Sequence, residues 1–218
     1  MTHRSPLLTR RGAFAGLAAV FAAQAAPARA PLSRAKPKVI TILGDSLTAG
    51  RGLAYRDSLP AQLQAELKRR GANVVVRGAG VSGDTSSGGL ARVDFSVRGD
   101  TDLAIVALGA NDLLQGLPPA SMQRNLTAIV RRLKRRGIKV LLVTFRAPPI
   151  INQAYAAQYN AVFDNIARAE GVPLHRNFLQ GVVGVPALNL SDRIHPNPRG
   201  IRIVASRLAD STLPALPK

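Results

Sequence analysis

Val39-Ile40-Thr41-Ile42-Leu43 runs straight into Gly44-Asp45-Ser46-Leu47-Thr48-Ala49-Gly50. The first five residues are apolar enough for a buried strand. The glycines on either side of Asp45-Ser46-Leu47 mark a sharp exit from a sheet. A serine at that point stands at the carboxyl edge of its strand, where open α/β sheets hold their ligands. Two further stretches, Gly109-Ala110-Asn111-Asp112 and Asp192-Arg193-Ile194-His195, are far away in sequence. The fold expected from the rest of the chain brings both to Ser46.

Beyond this strand, short apolar runs alternate with longer helical patterns, which predicts a parallel sheet with helices on both faces. Strands are expected at Lys38–Leu43, Asn73–Arg77, Leu103–Leu108, Lys139–Thr144 and Val172–His175. A helix follows Ser58, a good cap, with Pro60 in its first turn and Leu59, Leu63 and Leu67 at helical spacing. Further helices are expected near Ser87–Val97, from Pro118-Pro119 to Arg136, over Ala154–Ala169 and over Arg199–Leu213, with Gly78–Gly83 and Gly109–Gly116 as loops. The result is a three-layer α/β/α fold with a five-stranded parallel sheet in flavodoxin-like order 2-1-3-4-5. The switch point of that order lies between strands one and three. Ser46 leaves the first and Asn111 the third, so they face one crevice.

The chain has 218 residues, enough for one domain and a targeting segment. Residues 1–30 read as an export signal, and 31–218 as the catalytic body. Arg4, Arg10 and Arg11 make a positive start, Ala13–Ala26 is a small-residue apolar stretch, and Ala28-Arg29-Ala30 fits a cleavage site. Thr9-Arg10-Arg11-Gly12-Ala13-Phe14 has a twin-arginine character, with the phenylalanine one place late. An exported protein, periplasmic or secreted, is expected. There is no cysteine, which excludes disulfides, thiolate zinc sites and a cysteine nucleophile. The net charge is +18; four arginines and no acids fall in residues 1–30, so the body keeps +14. Lys68-Arg69-Arg70 and Arg131–Arg136 sit at expected helix ends, where cations complement the helix dipole. Aromatic residues make up 4%, too few for stacking platforms, and nucleic acid is not an expected partner. Attraction to an anionic lipid surface or an acidic polymer is the other reading of the charge.

A serine nucleophile needs a base, a group that orients the base, and donors for the oxyanion. Asp192 precedes His195 by three residues. In a tight turn its carboxylate reaches the ring Nδ1–H while Nε2 faces the serine, the division of labour of a Ser-His-Asp triad. The Ser46 amide, the Gly83 amide and the Asn111 side chain can each offer a donor. By spacing alone, His195 fits a surface loop as readily, and Asn111 a turn.

Taken together, Gly44-Asp45-Ser46-Leu47, Ser82-Gly83-Asp84-Thr85, Gly109-Ala110-Asn111-Asp112 and Asp192-x-x-His195-Pro196-Asn197 resemble the four sequence blocks of the SGNH (GDSL) hydrolase family. They occur in the family's order, and the resemblance covers the chain from about Lys38 to Leu213. It implies Ser46 as nucleophile, His195 as base, Asp192 as its orienting group, and Gly83 and Asn111 as oxyanion donors beside the Ser46 amide. Asp45 would order the turn. It implies a serine esterase that hydrolyses carboxylic esters or thioesters, such as arylesters, acyl-thioesters or lysophospholipids, through an acyl-enzyme, with no metal or organic cofactor. Activity would fall below roughly pH 6–7 as the histidine protonates. The chain departs from the pattern in having Leu59 where many relatives have tryptophan, and alanine at position 110.

The same motifs serve carbohydrate O-deacetylases, and an exported basic binding protein on this fold is a third possibility. Gly78-Ala79-Gly80-Val81-Ser82-Gly83 is formally a dinucleotide motif, but it follows the second strand rather than the first. His175 reads as a histidine packed at a strand end. Asn125-Leu126-Thr127 and Asn189-Leu190-Ser191 match the glycosylation pattern, and nothing is read into either. Acyl length would be set by the loops Gly109–Pro119, Arg146–Ala154 and Gly181–Asn189.

Overall fold

The computed structural model describes residues 1–2 and 36–218. The chain divides into two units, Met1–Arg34 and Ala35–Lys218, and the description below concerns the second. The expected export signal lies outside the described residues.

Five parallel strands form one sheet in the order β2-β1-β3-β4-β5. They are β1 (Lys38–Gly44), β2 (Val74–Gly80), β3 (Leu103–Ala107), β4 (Lys139–Val143) and β5 (Leu174–His175). Their inner residues are buried on both faces, as in Ile40, Ile42, Leu43, Ile105 and Leu141, because helices cover both sides. The helices are α1 (Ser46–Ala49), α2 (Leu59–Arg69), α3 (Ser86–Ser96), α4 (Ala110–Leu114), α5 (Pro119–Arg135), α6 (Gln153–Glu170) and α7 (Pro198–Ala215). Helix α5 shows how the sequence builds them. Met122, Leu126, Ile129, Val130 and Leu133 repeat at helical spacing and are buried, while Arg132, Lys134 and Arg135 sit in its last turn.

The sheet order matches the expectation, and four local details differ. Strand β2 continues to Gly80, three residues past Arg77, because Gly78, Ala79 and Gly80 pair in register with Ile42, Leu43 and Gly44 of β1. Strand pairing here overrides the weak intrinsic preference of glycine for strands. Strand β5 is only Leu174–His175. The expected loop 109–116 contains α4. Ser58 occupies the N-cap position of α2, but its hydroxyl caps nothing and is buried without a partner. Among the described residues, no helix is long and apolar enough to cross a membrane.

The register positions the site. Gly44 pairs with Gly80 on one side and with Ala107 on the other, so the carboxyl ends of β2, β1 and β3 are level. Ser46 lies two residues beyond that row, Gly83 three and Asn111 four.

Candidate active site

Ser46 is the first residue of α1, and the sharp exit from β1 is held by its neighbour. Asp45 Oδ1 accepts the Leu47 amide at 3.0 Å, an N-cap that starts the helix at the serine. The turn also needs room. A Cβ on Gly80 would stand 2.3 Å from the Ala49 nitrogen and 2.7 Å from the Asp45 carbonyl oxygen. Only glycine lets β2 end this close to α1.

A continuous chain of hydrogen bonds runs from the serine. Ser46 Oγ is 2.8 Å from His195 Nε2, and His195 Nδ1 is 2.6 Å from Asp192 Oδ2. The other carboxylate oxygen, Oδ1, accepts the backbone amides of Ile194 and His195 at 2.9 and 3.0 Å. Arg193 makes that turn with φ +58°, in the left-handed region. The amides of His195 and Ile194, then the His195 ring, hold the Asp192 carboxyl well below the usual carboxylate range. Asp192 is therefore anionic at neutral pH and keeps the proton on Nδ1, which leaves Nε2 with a lone pair toward Ser46.

The connection carrying this turn is irregular but braced. Buried Asn189 donates to the Val182 and Val185 carbonyls at 2.7 and 2.8 Å. Asn197 caps α7 by accepting the Arg199 and Gly200 amides at 3.0 and 3.1 Å. The Leu190 amide donates to the carbonyl of His195 at 2.7 Å.

At the end of β3, Asn111 Nδ2 donates to the Asp84 carbonyl at 2.8 Å and has a long contact of 3.5 Å to Asp45 Oδ2. Gly83 precedes Asp84, with φ +86° and open space where a Cβ would stand. Conformation, not crowding, asks for glycine there. Among the described residues, no group accepts the Gly83 N–H. The Ser46 N–H, in the first helical position, has no intrahelical acceptor.

Asp45 is 2% exposed, and burial pushes its carboxyl up to about 6 against the Leu47 amide and the charge of His195. Three side chains that the sequence reading gave no role hold this region. Arg92 donates to Asp84 Oδ2 at 2.6 Å, to the Gly44 carbonyl at 2.7 Å and to the Ala79 carbonyl at 2.8 Å. Asp112, buried, accepts the Ser86 amide at 2.7 Å and the Ser86 hydroxyl at 2.6 Å. Tyr159 donates to the Gly109 carbonyl at 3.0 Å. Asp112 was visible beside Asn111 in sequence; two of the three targets of Arg92 and the one target of Tyr159 are carbonyls, which leave no signal in side-chain identity. His175, as expected, packs at a strand end, with Nδ1 2.9 Å from Ser211 Oγ. Among the described residues, no group of three or more His, Asp or Glu side chains could hold a metal ion.

The profile described as the GDSL-like lipase/acylhydrolase family matches residues 42–203. The chain belongs to this family. Esterase TesA of Pseudomonas aeruginosa is 35% identical over 164 residues, covering 75% of this chain and 82% of that protein. An arylesterase of Vibrio mimicus is 33% identical over 178 residues, covering 81% and 88%. The crystal structure of AlinE4, an SGNH-hydrolase family esterase, is 39% identical with a TM-score of 0.70, covering 85% of this chain and all of that one. As a GDSL-family member with relatives of this kind, the chain is a serine ester hydrolase. The sheet order is that of an SGNH hydrolase.

Proposed function

We propose that this GDSL-family hydrolase works through an acyl-enzyme on Ser46, with His195 as base and Asp192 as its orienting group. The observation that carries this is the unbroken relay Ser46 Oγ–His195 Nε2 at 2.8 Å and His195 Nδ1–Asp192 Oδ2 at 2.6 Å. His195 takes the serine proton as Oγ attacks the carbonyl carbon, and returns it to the leaving alcohol or thiol. Water activated by His195 then releases the acid. The amides of Ser46 and Gly83 and the second N–H of Asn111 receive the oxyanion. The first N–H of Asn111, held by the Asp84 carbonyl, fixes the amide plane in advance. Asp45 orders the turn. Arylesters, acyl-thioesters and lysophospholipids are the proposed substrates, in keeping with the arylesterase and esterase relatives. The basic start and alanine-rich stretch of residues 1–30 support export, which N-terminal sequencing of protein recovered outside the cytoplasm would check.

The test is hydrolysis of p-nitrophenyl acyl esters from two to sixteen carbons by the wild type and Ser46→Ala. Turnover abolished by Ser46→Ala is expected, with the chain-length optimum sizing the acyl site. Undiminished turnover in folded Ser46→Ala would overturn the assignment.

A further inference from the structure

The large apolar side chains exposed on the 35–218 unit are not scattered. All except Phe95 and Ile203 lie in connections that leave the carboxyl ends of strands. Val81 is two residues from Gly83, Leu114 three from Asn111, and Ile194 adjoins His195. Ile150, 91% exposed, lies in the connection after β4, and Val183 and Val185 lie in the one after β5. Val183 also lines a recess of about 320 Å³ with Phe145, Arg146 and Leu179. In a parallel sheet all these connections share one edge, so the exposed apolar surface is concentrated around the catalytic mouth. Apolar surface gathered on one face marks an interaction site.

The charge of that edge identifies the partner. Of the 12 acids, those outside the site are already engaged. Asp57, Glu66, Asp94, Asp100, Asp164, Glu170 and Asp210 pair with arginine or lysine, and Asp102 accepts the Val39 amide at 2.7 Å. The carboxylates at the mouth are also committed: Asp84 to Arg92, Asp112 to Ser86 and Asp192 to His195. By contrast Arg51, Arg146 and Arg193 are exposed in the same connections and have no ion-pair partner among the described residues. Apolar tips with uncompensated arginines between them complement a surface that is anionic outside and apolar beneath.

We propose that this edge docks on an anionic phospholipid bilayer, the apolar tips entering the headgroup region and the arginines engaging the phosphates. The active-site mouth then opens onto the membrane, so lipid-borne esters reach Ser46 without crossing bulk water. The inference rests on the proposed esterase only for calling this mouth catalytic.

The chain contains no tryptophan, so a single introduced one reports its own surroundings. Leu114→Trp, Ile150→Trp and Phe95→Trp in the full chain would be mixed with phosphatidylcholine vesicles, with and without phosphatidylglycerol. Expected is a blue shift, and quenching by brominated acyl chains, at positions 114 and 150 but not at 95, on anionic vesicles only. Arg51→Gln is expected to weaken that binding about five-fold. Equal quenching at all three positions, or none on anionic vesicles, would overturn the proposal. So would equal insertion into pure phosphatidylcholine. Insertion at 114 and 150 in a protein whose turnover of the p-nitrophenyl ester series does not depend on Ser46 would uphold docking and remove the Ser46 acyl-enzyme reading.

Discussion

Asp45 is the residue whose physics is least like its neighbours'. It caps α1, yet it is a carboxyl with almost no access to water, and burial raises its pKa from 3.8 to about 6. A carboxyl with a folded pKa above its unfolded one binds its proton more tightly in the fold. Its contribution to stability is complete below pH 3.8 and is lost as pH rises through about 6. A shift of that size corresponds to about 3 kcal/mol. Asp45→Asn keeps the capping oxygen and removes the charge. The variant is expected to gain on the wild type by about 2 kcal/mol between pH 4 and pH 7.5, the rest of the shift falling below pH 4 where the unfolded carboxyl already begins to ionise. Urea denaturation at the two pH values checks this, and a pH-independent difference would refute it. Asn111 makes a separate test of oxyanion stabilisation. Asn111→Ala is expected to lower kcat about 100-fold or more, with KM little changed. A loss confined to KM would show that the side chain binds ground-state substrate instead.

At the scale of elements, the site depends on where three strands end. Gly80, Gly44 and Ala107 form one row, and Arg92 ties two of those ends together by accepting nothing and donating to the carbonyls of Gly44 and Ala79 and the carboxylate of Asp84. Gly80→Ala should therefore act on chemistry as well as on stability. The new methyl meets backbone of α1, which cannot rotate away, so β2 and α1 must part. A cost of about 1–3 kcal/mol is expected. Because α1 carries Ser46, kcat should fall in protein that is still folded at low temperature; normal kcat with lowered Tm would mean that α1 stays in place. Much of this level was legible beforehand. Strands β1, β3 and β4 are continuous apolar runs, and the regular strand–helix alternation leads to the sheet order. The end of β2 was not legible, because Gly78-Ala79-Gly80 looks like a turn until β1 is beside it. Ser46, Asp192 and His195 were legible as short motifs, whereas their supports were not. Asn189, set aside as a glycosylation pattern, is a buried clamp on two carbonyls of its own connection. Hydrogen bonds to backbone depend on three-dimensional placement and leave no mark on the partner's identity.

For the molecule as a whole, charge is the unbalanced quantity: 30 basic residues against 12 acidic ones. Two opposing salt effects follow. Salt weakens attractive pairs and also weakens repulsion among the surplus cations. The pairs are close, such as Arg77–Asp100 at 2.7 Å and Arg131–Glu170 at 2.7 Å. They lie well inside a Debye length of about 10 Å at 0.1 M salt, so screening takes little from them. Each is in any case worth only about 0–1 kcal/mol at a surface. The repulsions act among many unpaired arginines over longer distances, where screening removes most of the interaction. Repulsion therefore loses more than attraction does, and salt should stabilise the fold. Raising NaCl from 10 to 200 mM is expected to lift Tm by about 2–4 °C, the shift that about 1 kcal/mol gives at this size. Chloride keeps the comparison electrostatic, since sulfate or phosphate would strengthen apolar burial as well. A fall in Tm over that range, followed by circular dichroism, would mean that the contact pairs outweigh the surplus. The anionic bilayer proposed for the catalytic edge should act as a local, stronger form of the same screening, so vesicles containing phosphatidylglycerol should raise Tm most at 10 mM NaCl and progressively less as salt is added.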